Sequence, residues 1–107
     1  MKDFDKIIWR NALTFVDFFA VWCGTCRAMT PVIDRFQKQM NGRTDVYRMD
    51  IEDPDLLEIV RRYNIMSVPT LMFFRRGEVL WRESGRVDYE HLVNVLNELE
   101  KHEHVLL

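Results

Sequence analysis

Apolar residues along this chain recur with two different periods, and the switches between them predict its elements. Phe15-Val16-Asp17-Phe18-Phe19-Ala20 is a short, nearly continuous apolar run, the pattern of a parallel strand covered on both faces. It leads directly into Trp22-Cys23. From Met29 the apolar positions Met29, Val32, Ile33, Phe36 and Met40 fall at helical spacing, and Asn41-Gly42 closes that helix. Pro31 lies inside the pattern, so a bend is expected about one turn after Cys26. Asp45–Ile51 alternates as a second strand. Asp53-Pro54 opens a second helix carrying Leu56, Ile59, Val60 and Tyr63. Thr70–Phe74 and Val79–Glu83 are two more strands, close enough across Arg75-Arg76-Gly77-Glu78 to form a hairpin. Gly85 ends the last strand, and Asp88 is placed to cap a final helix with Leu92, Val95, Leu96 and Leu99 on its buried face. The order β-α-β-α-β-β-α predicts an α/β fold, a mixed four-stranded sheet with helices on both faces.

Composition narrows the function without naming it. At 107 residues, 48% apolar and 30% charged, the chain is long enough for one domain with its own core. The net charge is −2, and the longest basic runs are the pairs Arg61-Arg62 and Arg75-Arg76. Nucleic-acid binding would call for a basic stripe, so it is set aside. Charged residues interrupt the first ten positions, which leaves no apolar core of a secretory signal, and no run is long enough to span a membrane. A soluble, cytoplasmic, monomeric protein is the expectation.

The two cysteines, Cys23 and Cys26, change the picture most. As a staple, a Cys-x-x-Cys bridge closes almost no loop. As a zinc site it supplies two ligands where a structural site takes four. His91, His102 and His104 are the other candidates, but two of them lie in Lys101-His102-Glu103-His104, read as a frayed polar end. A redox dithiol uses both cysteines without outside help, and no metal or cofactor is called for.

Cys23 falls where the first strand ends and the first helix begins. Unsatisfied N–H groups and the positive end of the helix dipole stabilise a thiolate there. The nucleophile must be reachable, which selects Cys23, and Cys26 one turn further in is the resolving thiol. Cys23 attacks a substrate disulfide, and Cys26 then attacks the mixed disulfide and expels the reduced substrate. The second step needs a base in a dry place. Asp17 interrupts an apolar strand where an unpaired carboxylate is expensive. It is read either as an edge or outward-facing strand acid or as a buried carboxylate of raised pKa that takes the proton of Cys26, directly or through water.

Val16-Asp17-Phe18-Phe19-Ala20-Val21-Trp22-Cys23-Gly24-Thr25-Cys26, then Pro31, Val68-Pro69-Thr70, Gly77 and Gly85, resembles the thioredoxin family over about Thr14 to Leu99. The combination is specific, although each part alone would be weak. The resemblance implies the thioredoxin fold and reduction of protein disulfides, with a flavoprotein thioredoxin reductase supplying electrons. It puts Asp17 on the family's buried acid, Arg48 where the family usually has a lysine paired with that acid, and Pro69 on the family's cis-proline facing the dithiol. Val68 would then pair with an extended substrate strand. Trp22, Gly24, Thr25, Met66, Ser67 and Gly85 would form a flat rim under the substrate. Trp22 and Met66 are read equally well as partly buried core.

Three departures from the family pattern matter. Thr25 stands where the reductants usually have proline, which predicts a more oxidising couple. Arg48 cannot give up its proton, so it would hold Asp17 ionised more firmly. Only fourteen residues precede Phe15. They have room for a short helix at Phe4, Ile7 and Ile8 but not for a further N-terminal edge strand, which would leave Val46–Ile51 at an exposed edge. A disulfide isomerase or oxidase, a non-catalytic binding module, and an intersubunit zinc or iron–sulfur site remain as alternatives.

Overall fold

In the computed structural model, which describes residues 2–105, the strand β1 (Thr14–Phe19) forms the middle of a four-stranded sheet. β1 pairs in parallel with β2 (Asp45–Asp50) and antiparallel with β3 (Thr70–Arg75), and β3 pairs antiparallel with β4 (Glu78–Ser84). The spatial order is β2-β1-β3-β4. The sheet is therefore mixed, and β2 is an edge, as the pattern predicted.

Alternation along β1 and β3 supplies two cores at once. Phe15, Leu71 and Phe73 pack on one face against Met29, Ile33 and Phe36 of α2 (Gly24–Gln39) and Leu92 and Leu96 of α4 (Tyr89–Val105). Val16, Phe18, Met72 and Phe74 pack on the other against Phe4 and Ile8 of α1 (Lys2–Ile8) and Ile59 of α3 (Leu57–Arg62). Six phenylalanines are fully buried, with ring centroids as close as 5.0 Å for Phe15 and Phe73. Each such ring contributes roughly 1.5–3 kcal/mol when buried, so the two faces hold the β1 backbone firmly beneath the site.

The elements differ from the pattern in small ways. The segment opened by Asp53 begins as a 3-10 turn (Pro54–Leu56), with the Asp53 side chain accepting from the Asp55 N–H, and becomes α3 only at Leu57. Proline there leaves one donor fewer for the first turn, which a tighter winding tolerates. α2 is one continuous helix through Pro31. α4 runs on to Val105, so the segment read as a frayed end is helical. Asp88 caps that helix as expected, its Oδ1 accepting the N–H of His91 at 2.9 Å.

The hairpin turn is Arg76-Gly77, both at positive φ (52° and 79°), which matches the twist of the strands it joins. Its N–H groups bond the carbonyls of Arg10 and Ile8 at 2.9 and 2.8 Å. Trp9 lies against Gly77 so closely that a Cβ would run into the indole. α1 and the segment after it are thus tied to the end of the sheet remote from the cysteines.

Candidate active site

β1 ends at Phe19, and after three intervening residues the chain enters α2 with Cys23 as its N-cap. The extended backbone of Cys23 (φ −86°, ψ 111°) aims its sulfur back at the first turn, where Sγ accepts the N–H of Cys26 at 3.0 Å. Cys23 and Cys26 form a disulfide with their Cα atoms 5.2 Å apart. Both are largely buried, but unequally: Cys23 keeps 7% of its surface and Cys26 1%. Of the two, Cys23 is the one that reaches the surface. The Cys26 N–H and the positive helix end are placed to stabilise a thiolate on Cys23 once the bridge opens.

The loop before β3 covers the pair. Val68-Pro69 is a cis peptide bond, and the Val68 carbonyl oxygen lies 3.7 Å from Cys23 Sγ. Val68 also packs with Ala20, Cys23 and Cys26. The loop is tied down on both sides. Thr70 Oγ1 donates to the Ser67 carbonyl at 2.7 Å, and the Gly85 N–H bonds the Pro69 carbonyl at 2.9 Å. Gly85 holds φ +93°, a conformation side chains resist, which explains a glycine at that place on the rim.

Asp17 has no exposure at all and sits on an interior strand, so the outward-facing reading falls away. It lies between Phe15, packed on the body of α2, and Phe19, packed with the cysteines, and alternation puts all three on one face. That places the carboxylate under the first turns of α2. Burial pushes its pKa above the usual carboxylate range, while the charge and hydrogen bond of Arg48 pull it down. Burial wins.

Arg48 does meet Asp17. The parallel register sets the two residues opposite each other, and Nε donates to Oδ2 at 3.1 Å. The guanidinium also lies over the Phe19 ring, 4.7 Å from its centroid. Its pull on Asp17 has the direction expected from the sequence but does not overcome desolvation. Asp17 Oδ1 is buried with no hydrogen-bond partner among the described residues.

The rim residues fall into two kinds. Trp22 (63%) and Met66 (83%) are among the most exposed large apolar side chains, so neither is core. Gly24, Thr25 and Ser67 are exposed, Val68 and Gly85 half-buried. The Thr25 N–H is not the donor that reaches Cys23; that donor belongs to Cys26.

Sequence reasoning missed three contributors. Glu52 Oε1 accepts the Trp22 indole N–H at 2.5 Å and pins the exposed ring from thirty residues away. Arg27 Nη1 donates to the Val21 carbonyl at 2.8 Å and braces the turn into α2. Phe19 supplies the face under Arg48. Only Phe19 carried a signal, its two-residue offset from Asp17. Among the described residues no group of three or more His, Cys, Asp or Glu side chains converges as a metal site. No helix of the described residues is long and apolar enough to cross a membrane.

The family model described as Thioredoxin matches residues 1–98. The chain is 32% identical over 96 residues to a thioredoxin of Staphylococcus epidermidis, covering 90% of this chain and 89% of that one. It is 30% identical over 95 residues to a thioredoxin of Staphylococcus aureus, covering 89% and 88%. In structure it is similar to a thioredoxin of Malassezia sympodialis, with a TM-score of 0.80, 22% identity, and coverage of 91% of this chain and 83% of that one. At that identity the last likeness speaks for the fold alone.

Proposed function

The chain belongs to the thioredoxin family and is a thiol–disulfide oxidoreductase, and from that premise we propose how its residues divide the reaction. Cys23 thiolate attacks a disulfide of a protein substrate, forming a mixed disulfide and releasing one substrate thiolate. Cys26 then attacks Cys23 Sγ, re-forms the internal disulfide and expels the second substrate thiolate. Asp17 takes the proton that Cys26 must lose, and Arg48 is a positioning residue that holds Oδ2 and leaves Oδ1 free to accept it. The single observation that carries this reading is the Cys23–Cys26 bridge at the N-terminus of α2, with Cys23 Sγ on the outer side and beside the Val68 carbonyl.

The rim reading follows from exposure. Trp22, Gly24, Thr25, Met66, Ser67, Val68 and Gly85 bound the surface on which a substrate segment lies, its backbone pairing with Val68 and its path set beside Pro69. Substrates are disulfide-containing proteins, and a thioredoxin reductase returns the electrons, as membership of the family supports. The chain works as one domain over residues 1–107, a reading supported by a single sheet shared by all the helices. It works as a monomer in the cytoplasm. The charged edge strand, with Asp45 engaged by Arg10 at 2.5 Å, supports the first, and the absence of any cysteine beyond the redox pair supports a reducing compartment.

Reduction of a protein disulfide, driven by a small dithiol, tests this reading. Wild type turns over, while Cys23→Ser loses turnover entirely. Undiminished turnover by Cys23→Ser would show that the chemistry lies elsewhere.

A further inference from the structure

Four of the five methionines described are core residues: Met29, Met40, Met49 and Met72 keep between 0% and 8% of their surface. Met66 keeps 83%, more than any other exposed large apolar side chain among the described residues. Its place is not on a loose loop. The next carbonyl, that of Ser67, is held by Thr70 Oγ1 at 2.7 Å, and Thr70 Oγ1 also pairs with Ser84 Oγ at 2.9 Å. Two residues further on, the Val68 carbonyl lies 3.7 Å from Cys23 Sγ. A bare thioether therefore stands in solvent on a tethered backbone at the edge of the dithiol.

We infer that Met66 is an oxidation-sensitive modification site through which a hydroperoxide weakens substrate docking at the dithiol. The inference rests on the reading of the rim as the docking surface. In the oxidised protein both cysteines are consumed in the bridge, so no thiolate competes for the oxidant. The sulfur lone pair of Met66 attacks the peroxide oxygen. An S–O bond forms, the O–O bond breaks, the departing oxygen takes a proton and leaves as water or an alcohol. The thioether loses two electrons and the peroxide gains them. The product sulfoxide is polar where the thioether was apolar, and a wall that fitted an apolar substrate segment no longer does. The buried four are shielded by the core from the same reagent.

The test treats the disulfide form with hydrogen peroxide, quenches it, locates the added oxygen by peptide mass, and reduces the bridge with dithiothreitol before assay. The expected result is one oxygen on the peptide bearing Met66, with the four core methionines unchanged. The kcat/KM for a protein disulfide then falls several-fold through KM, while the rate with a small soluble disulfide is kept. Met66→Leu, compared with itself before and after peroxide, shows no change, and Met66→Gln without peroxide reproduces the loss. If oxygen appears on the core methionines as readily as on Met66, or if treated wild type keeps its kcat/KM while Met66→Gln is impaired, the oxidation inference is overturned and the docking reading stands. If Met66→Gln turns over the protein disulfide like wild type, the docking reading itself fails.

Discussion

Replacing Asp17 with asparagine separates what the buried acid costs the fold from what it supplies to the reaction. The carboxylate has no exposure, its Oδ1 lacks a partner, and only Oδ2 is bonded, to an arginine whose side chain is 29% exposed. An unsatisfied buried polar atom costs roughly 1–3 kcal/mol, more when charged, and the partly hydrated Arg48 returns only part of that. Because burial raises the Asp17 pKa, the native state keeps the proton to higher pH than the unfolded chain does. Stability therefore falls as pH rises from the usual carboxylate range through the raised pKa, and levels off above it. Asp17→Asn removes that fall. Above the raised pKa the variant is expected to be more stable than wild type by about 1–2 kcal/mol, or about 4–8 °C in Tm per kcal/mol for a domain of this size. The gap closes as pH drops below the raised pKa. The same change removes the base, so resolution of the mixed disulfide slows by roughly 10²-fold, the low end for a positioned proton acceptor. Denaturant unfolding of the disulfide form across pH, beside single-turnover kinetics, reads both. A variant less stable than wild type above the pH at which the wild-type curve levels off, or one that resolves at the wild-type rate, would refute the reasoning. Arg48→Leu should move the Asp17 titration to still higher pH, since it removes both interactions that oppose burial.

Two further predictions follow from particular residues. Thr25→Pro is expected to make the couple more reducing, by roughly 30 mV for each 1.4 kcal/mol gained by the disulfide form, read from the equilibrium with glutathione; an unchanged or more oxidising variant contradicts it. Gly77→Ala should destabilise the protein by roughly 1–3 kcal/mol, because alanine is strained at φ +79° and its methyl runs into Trp9; an unshifted unfolding midpoint would show that the α1 end is not held there.

Much of the fold was legible because periodicity and burial are two views of one constraint. The apolar run at Phe15–Ala20 announced a strand covered on both sides, and the structure covers it with α2 and α4 on one face and α1 and α3 on the other. Asp17 stood out for the same reason, since a carboxylate in such a run must be buried at a cost or turned out, and only an interior strand decides which. The contact of Arg48 with Asp17 needed the parallel register, which local pattern does not contain. The same holds for Glu52, an ordinary acid of a surface loop until the fold brings it to Trp22. Trp22 and Met66 were ambiguous because an apolar letter predicts burial, while a docking surface keeps apolar groups in water. The helical course of Lys101–His104 was hidden by its polarity, which argues against core packing and not against helix.

The division of labour between the cysteines is tested most directly by trapping. With Cys26→Ser, reaction with a protein disulfide should stop at the mixed disulfide, and mass analysis should find the substrate on Cys23 as a stable adduct. Cys23→Ser should trap far less, since Cys26 keeps only 1% of its surface behind the first turn of α2. An adduct forming equally well on Cys26 in Cys23→Ser, or none in Cys26→Ser, would contradict the assignment of attack to Cys23.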